Sequence, residues 1–165
     1  MYQYSFANVD LILEIPSASG SVKKLSVRGF STGENLINIM RRAPIATTQF
    51  GAYGDMVVSM QRIVAGDLTF PVLMNSEENK YLQDYANYFQ SLAEADGALV
   101  KPIQAKLKDN MGKDECTMTN GVILAMPAMA RGQTMNTVTW VLTFEKVEFE
   151  RKFGNDNQDI GESIQ

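Results

Sequence analysis

The stretch GDLTFPVLMNSEENKYLQDYANYFQSL, residues 66–92, changes its apolar period partway along. Leu68, Phe70, Val72 and Met74 alternate with Asp67, Thr69, Pro71 and Leu73, the period of a strand. From Tyr81 the spacing becomes i, i+3, i+4, so Tyr81, Leu82, Tyr85, Ala86, Phe89, Leu92 and Ala93 fall on one face of a helix. Ser76, or Asn75 before it, suits the N-cap, and Glu77 and Glu78 sit where the helix dipole favours negative charge. Asp96–Gly97 is a stop, so the pattern predicts one helix over about 76–95. Such a face must be buried against something, and a sheet of the same domain is the expected partner.

Everything else that is periodic alternates. Val9, Leu11, Leu13 and Ile15 make one strand, with turn residues Pro16 to Gly20 after it. Leu25 and Val27 make a second, and Ile37 and Ile39 share a face of a third. Met56, Val58 and Met60 alternate with Val57, Ser59 and Gln61. Ile103, Ala105 and Leu107 lead into DNMGKD, a hairpin turn. Cys116, Met118, Val122, Leu124 and Met126 share a parity, which makes them one apolar face. Val138, Trp140, Leu142 and Phe144 do the same until the parity shifts to Val147 and Phe149, which predicts a bulge near Glu145. The fold class expected is mainly β: an antiparallel barrel or sandwich with one flanking helix. A single domain over 1–153 is expected, followed by a polar tail, GNDNQDIGESIQ, at 154–165.

Composition narrows the function classes. No apolar run among the 165 residues approaches the roughly 18 that a membrane helix needs. The first residues, MYQYSFANVD, do not have the layout of a signal peptide. The single cysteine, Cys116, excludes an intrachain disulfide framework and fits a reducing compartment. A net charge of −4 argues against tight nucleic-acid binding. Histidine is absent, which removes the commonest general base and transition-metal ligand. No phosphate loop, nucleophile elbow, zinc spacing or dinucleotide fingerprint occurs. NDNQDIG resembles the start of a calcium loop, but its glycine falls one place late and the chain ends before the twelfth position. No enzyme, cofactor or metal is therefore expected. Cys116 reads as structural, the ten methionines as core gap-fillers, and Tyr81, Tyr85 and Tyr88 as core and interface rather than a stacking platform for bases.

Two features remain. Residues 41–55, RRAPIATTQFGAYGD, form a long weakly patterned loop or hairpin; segments of this kind are usually functional or disordered, and an ordinary long hairpin packed on its own domain is the other reading. Phe50 and Tyr53 have no core register there. Small uncharged polar groups also line strand faces: Ser59 and Gln61, Thr117 and Thr119, and Thr137, Thr139 and Thr143. These fit a plain solvent face or a wet channel wall.

The segments YSFANVDLIL, GAYGDMVVSMQRIVAGDLTFPVLMNSEENKYL and NTVTWVLTFEKVEFE, with one amphipathic helix among strands, resemble the tail tube proteins of contractile-tailed phages and related injection systems. The resemblance implies a barrel or sandwich flanked by one helix, six-membered rings stacked into a tube inside a sheath, and DNA passing through without specific binding. It implies a virion protein assembled in the host bacterial cytoplasm, with its own copies, the sheath, the baseplate and the tail terminator as partners. On that reading Arg41, Arg42, Phe50 and Tyr53 are inter-ring candidates, and Ser59, Gln61, Thr117 and Thr119 are lumen candidates. Rival readings are a terminator, baseplate ring or secretion-system tube protein, and, further off, a small-ligand-binding barrel with an apolar pocket.

Overall fold

The computed structural model describes residues 9–17, 20–27, 37–92, 101–109, 114–129, 132–133 and 136–150. The strands are β1 (Val9–Pro16), β2 (Val22–Val27), β3 (Asn38–Arg41), β4 (Ala46–Phe50), β5 (Met56–Met60), β6 (Gly66–Leu73), β7 (Ile103–Asp109), β8 (Glu115–Ala125) and β9 (Thr137–Glu150). One helix, α1 (Glu77–Leu92), follows β6. Seven strands form an antiparallel sheet in the order β2-β1-β7-β8-β9-β6-β3, and β4 and β5 pair separately. The large sheet is open, with β2 and β3 as its edges, and does not close into a barrel.

The apolar parities set its inner face. Leu11, Leu13, Leu25, Val27, Leu68, Phe70, Ile103, Met118, Trp140 and Leu142 are buried in one cluster with Leu82, Tyr85 and Ala86 of α1. The helix touches both β1 and β6, which lie four strand spacings apart in the sheet. Four spacings are about 19 Å, more than the ~10–12 Å width of a helix, so the sheet curls to bring both strands to it.

The helix begins as the sequence predicts. The Ser76 hydroxyl accepts from the Asn79 amide at 3.3 Å and donates to the Leu73 carbonyl at 2.7 Å, fastening the first turn to the end of β6. Residues 93–97, which include the predicted stop, lie outside the described residues, as do 110–113 of the predicted hairpin turn and the tail. The β7–β8 hairpin itself is present, with Asp109 donating to Asp114 across its base.

Two parity expectations change. In β8 the buried face runs Cys116, Met118 and then Gly121, Ile123, so Leu124 and Met126 are exposed instead of continuing the core. The switch falls at Asn120, which adopts φ 56° and allows the pairing with β7 to slip by one residue between Ile103 and Ala105. Gly121 is required where the strand resumes, because a Cβ there would collide with the Phe144 ring. In β9 the buried set shifts from Phe144 to Val147 as expected, but the pairing with β8 keeps one register past Glu145 and slips instead between Ile123 and Ala125, and Phe149 stays on the outside. The methionines also differ from expectation. Of the seven described, only Met118 is buried and Met74 half-buried; Met40, Met56, Met60, Met126 and Met129 are exposed.

Candidate assembly surface

Residues 41–55 are part of a hairpin, and it is longer than the sequence suggests. Met56 to Met60 does not join the main sheet but folds back on Ala46 to Phe50. The turn is closed by Gly51 donating to Asp55 at 2.7 Å and Gly54 donating to Gly51 at 3.1 Å, with Gly54 at φ 87°. Cross-strand partners share a face in an antiparallel pair. One face therefore carries Ala46 with Met60, Thr48 with Val58, and Phe50 with Met56; the other carries Thr47 with Ser59 and Gln49 with Val57. The hairpin is amphipathic, yet neither face is covered: nine large apolar side chains between Ile45 and Val64 are exposed, Tyr53 by 97% and Met60 by 80%. A lone two-stranded hairpin is marginal in water, and monomers rarely display so much contiguous apolar surface.

The base of the hairpin is well anchored. Arg42 donates to Ala65 and Gln61 to Ile45 through the backbone, and Val147 donates to Val64 at 2.9 Å. The Arg42 Nε pairs with Asp67 at 2.8 Å, and Asp67 also accepts from the Thr143 hydroxyl at 2.7 Å. The Arg41 guanidinium donates to the Val147 carbonyl at 3.0 Å and lies 5.6 Å over the Phe149 ring. Arg41 and Arg42 thus fix the arm to its own sheet, while Phe50 and Tyr53 stand at the far end, the first 69% exposed. The four inter-ring candidates divide between root and tip.

The lumen candidates divide as well. Ser59 and Gln61 belong to the hairpin, where Ser59 faces away from the Phe50–Val58–Met60 side. Thr117 and Thr119 lie on the outer face of the main sheet, opposite buried Cys116 and Met118. They line an open groove of about 280 Å³ with Glu14, Gln104, Lys106 and Lys108. Lys106 stands directly across from Thr117 and Lys146 across from Thr119, so the wall holds cations as well as hydroxyls. Lys106 pairs with Glu115 at 3.6 Å and Lys146 with Glu148 at 2.8 Å, and Lys24 and Lys108 also line the groove.

No group of three or more possible metal ligands occurs among the described residues. No described helix is long and apolar enough to cross a membrane. Burial pushes the Cys116 thiol up to about 11, against a smaller opposing effect of Arg41, which leaves it a poor nucleophile at neutral pH. Burial, with Tyr88 adding to it, pushes the Tyr85 phenol up to about 12, and its hydroxyl donates to the Lys101 carbonyl at 2.8 Å.

One structural residue escapes the periodicity argument. Asn79 is buried, accepts from the Trp140 indole at 3.0 Å and donates to the Met74 carbonyl at 2.7 Å. It therefore ties the helix start to the middle of β9. The signal was available: Asn79 lies three residues before Leu82 and seven before Ala86, on the apolar stripe.

A buried core is thus joined to an arm whose apolar side chains lie exposed among the described residues. Residues 1–152 match the family described as "Bacteriophage PhiTE tail tube protein", and the chain belongs to that family. The fold is also that of solved contractile-injection components. A chain of the anti-feeding prophage cap (AFP tube terminating cap) aligns at TM-score 0.52 and 11% identity, covering 92% of this chain and 93% of that one. A chain of the PVC sheath–tube complex in its extended state aligns at TM-score 0.51 and 9% identity, covering 91% and 93%. No curated protein sequence matches the chain.

Proposed function

We propose that this protein is the repeating subunit of a tail tube. Six copies make a ring, rings stack, and the hollow stack conducts DNA during ejection inside a sheath. The observation that carries the reading is the β4–β5 hairpin, an apolar arm that no other described residues of its own chain cover. Burial of one such aromatic or aliphatic side chain stabilises a contact by about 1.5–3 kcal/mol, and ring symmetry repeats the gain. Phe50 and Tyr53 make the contact between stacked rings, and Arg41 and Arg42 hold the arm at its root. The role is structural, with no catalysis. The folded unit is 1–153, and 154–165 is an appended polar tail. The particle is a virion assembled in the host cytoplasm, with sheath, terminator and baseplate as partners.

The lumen reading keeps Ser59, Gln61, Thr117 and Thr119. If the Phe50–Val58–Met60 face docks on protein, Ser59 on the opposite face is left wet. Lys106 and Lys146 beside Thr117 and Thr119 are weak DNA ligands, because neutralising a phosphate would require each to give up the carboxylate it already pairs with. Cysteine at Ser59 or Thr117 in assembled tubes is expected to react with a small thiol reagent and, except at tube ends, to exclude a bulky one. Equal labelling by both would put these residues outside. Negative-stain microscopy of the purified protein tests the main reading: long tubes of uniform bore support it, whereas a protein that stays monomeric or stops at single rings at high concentration refutes it.

A further inference from the structure

We propose that the apolar face of the β4–β5 hairpin of one copy seats on the Leu124–Met129 segment of a second copy, joining the two head to tail. The inference rests on the tube reading and names the surface that receives the arm.

Register places the two surfaces at opposite ends of the molecule. The hairpin leaves the sheet from Arg41 and returns at Gly66, whose partner in β9 is Phe144. Leu73, at the other end of β6, pairs with Thr137, and Met74 donates to the Asn136 carbonyl at 3.1 Å. Ala125 ends β8 opposite Val141 of β9, so residues 126–129, which follow it, lie toward that same Leu73–Thr137 end. Eight residues of β6 separate the ends by about 26 Å, whereas an arm with five residues per strand reaches about 17 Å from its root. The arm of one copy cannot fold back onto its own Leu124–Met129 segment.

The two surfaces match in chemistry. Leu124, Met126 and Met129 are 52%, 40% and 71% exposed, a second apolar patch among the described residues. The arm presents Phe50, Val58, Met56 and Met60. Methionine is unbranched and adapts to the surface it meets, so a thioether-rich arm and a thioether-rich seat can interdigitate without a preformed pocket. Pro127 lacks a donor and keeps this segment from extending a ladder, so side chains rather than backbone bonds receive the arm. A contact between two different surfaces is heterologous, and where the rotation between copies does not close a ring such contacts repeat along an axis.

The test uses the full chain with Cys116→Ala, checked for a wild-type thermal melt. Val58→Cys and Met126→Cys are placed together, tubes are assembled under reducing conditions and then oxidised. Expected is a ladder of covalent oligomers on a non-reducing gel, absent from either single cysteine. Visible tubes without that ladder, or dimers from Val58→Cys alone, would overturn the proposal. Charge variants give the second arm. Met126→Asp and Val58→Asp are each expected to fold normally and to elongate at least tenfold less than wild type. Mixed, they are expected to form assemblies of two layers and no more, since one junction in the mixture is intact. Normal elongation by Met126→Asp overturns this proposal alone when deletion of residues 47–52 still blocks assembly. If that deletion also assembles normally, the hairpin reading itself has failed.

Discussion

Val58 and Val72 stand on strands of the same chain, each with apolar residues two places away, yet Val72 is fully buried and Val58 is 48% exposed. The difference lies in what their strands join. β6 is hydrogen-bonded on both sides, to β9 and β3, and its buried face meets the helix side of the sheet. Among the described residues β5 has only β4, and the pair has neither a second layer nor a third strand. Alternation states that one face wants to leave water; it does not state whose surface will cover it. In the sheet the answer is internal, and Asn79, Trp140 and Gly121 fix it residue by residue. In the arm no described residue supplies the cover, and we propose that another copy does.

Perturbations of the two regions are therefore expected to separate stability from assembly. Deleting Thr47 to Ala52 is expected to abolish elongation while leaving the thermal melt of the subunit within a degree or two of wild type; a collapse of the melt would show that the arm belongs to the core. Trp140→Ala removes a fully buried indole and orphans Asn79 and is expected to cost about 3–5 kcal/mol in a urea titration. Phe89→Ala is the milder core test: its ring is only half-buried at 6.2 Å from Tyr85, so the loss is expected to fall below that range. Gly121→Ala forces its methyl against Phe144 and is expected to cost about 1–3 kcal/mol. Tyr53→Ser, at the exposed tip, is expected to change subunit stability by no more than about 0.5 kcal/mol while impairing stacking.

The smallest effect is a pH dependence confined to the core. The Cys116 thiol and Tyr85 phenol are held at about 11 and 12, above their ordinary values of 9.0 and 10.0. Above pH 9 the unfolded chain loses these protons first, so the folded state binds more of them and stability falls as pH rises. That contribution is fully present below pH 9 and is lost through about pH 11–12. Thermal midpoints measured from pH 7 to 11 are expected to be flat and then decline, with a shallower decline in Cys116→Ala. An identical slope in the variant would remove Cys116 from the account.

Much of this was legible in the residues. The helix start at Ser76, the β6 parity and the Trp140 face follow from local periods, because a strand or helix that buries one side must repeat its apolar residues at its own pitch. The long segment after Arg41 was recognisable as unusual, with Phe50 and Tyr53 as its signature. Other features were not local. The even parity of Leu124 and Met126 looked like core until Asn120 turned the strand over, and Met56 and Met60 are exposed because their strand pairs with β4 outside the main sheet.

The sequence by itself determined the element types, the helix boundary at its N-terminal end and the apolar parity of β1, β6 and β9 as far as Phe144, since these depend on neighbours within a few residues. Only the tertiary structure decided that β5 pairs with β4 and leaves the main sheet, that Arg41 and Arg42 root the arm while Phe50 and Tyr53 project, and that the hairpin and the Leu124–Met129 segment lie at opposite ends. Pairing partners are chosen by contacts far apart in the chain, and a period-2 pattern is the same whether its apolar face meets its own core or a neighbour.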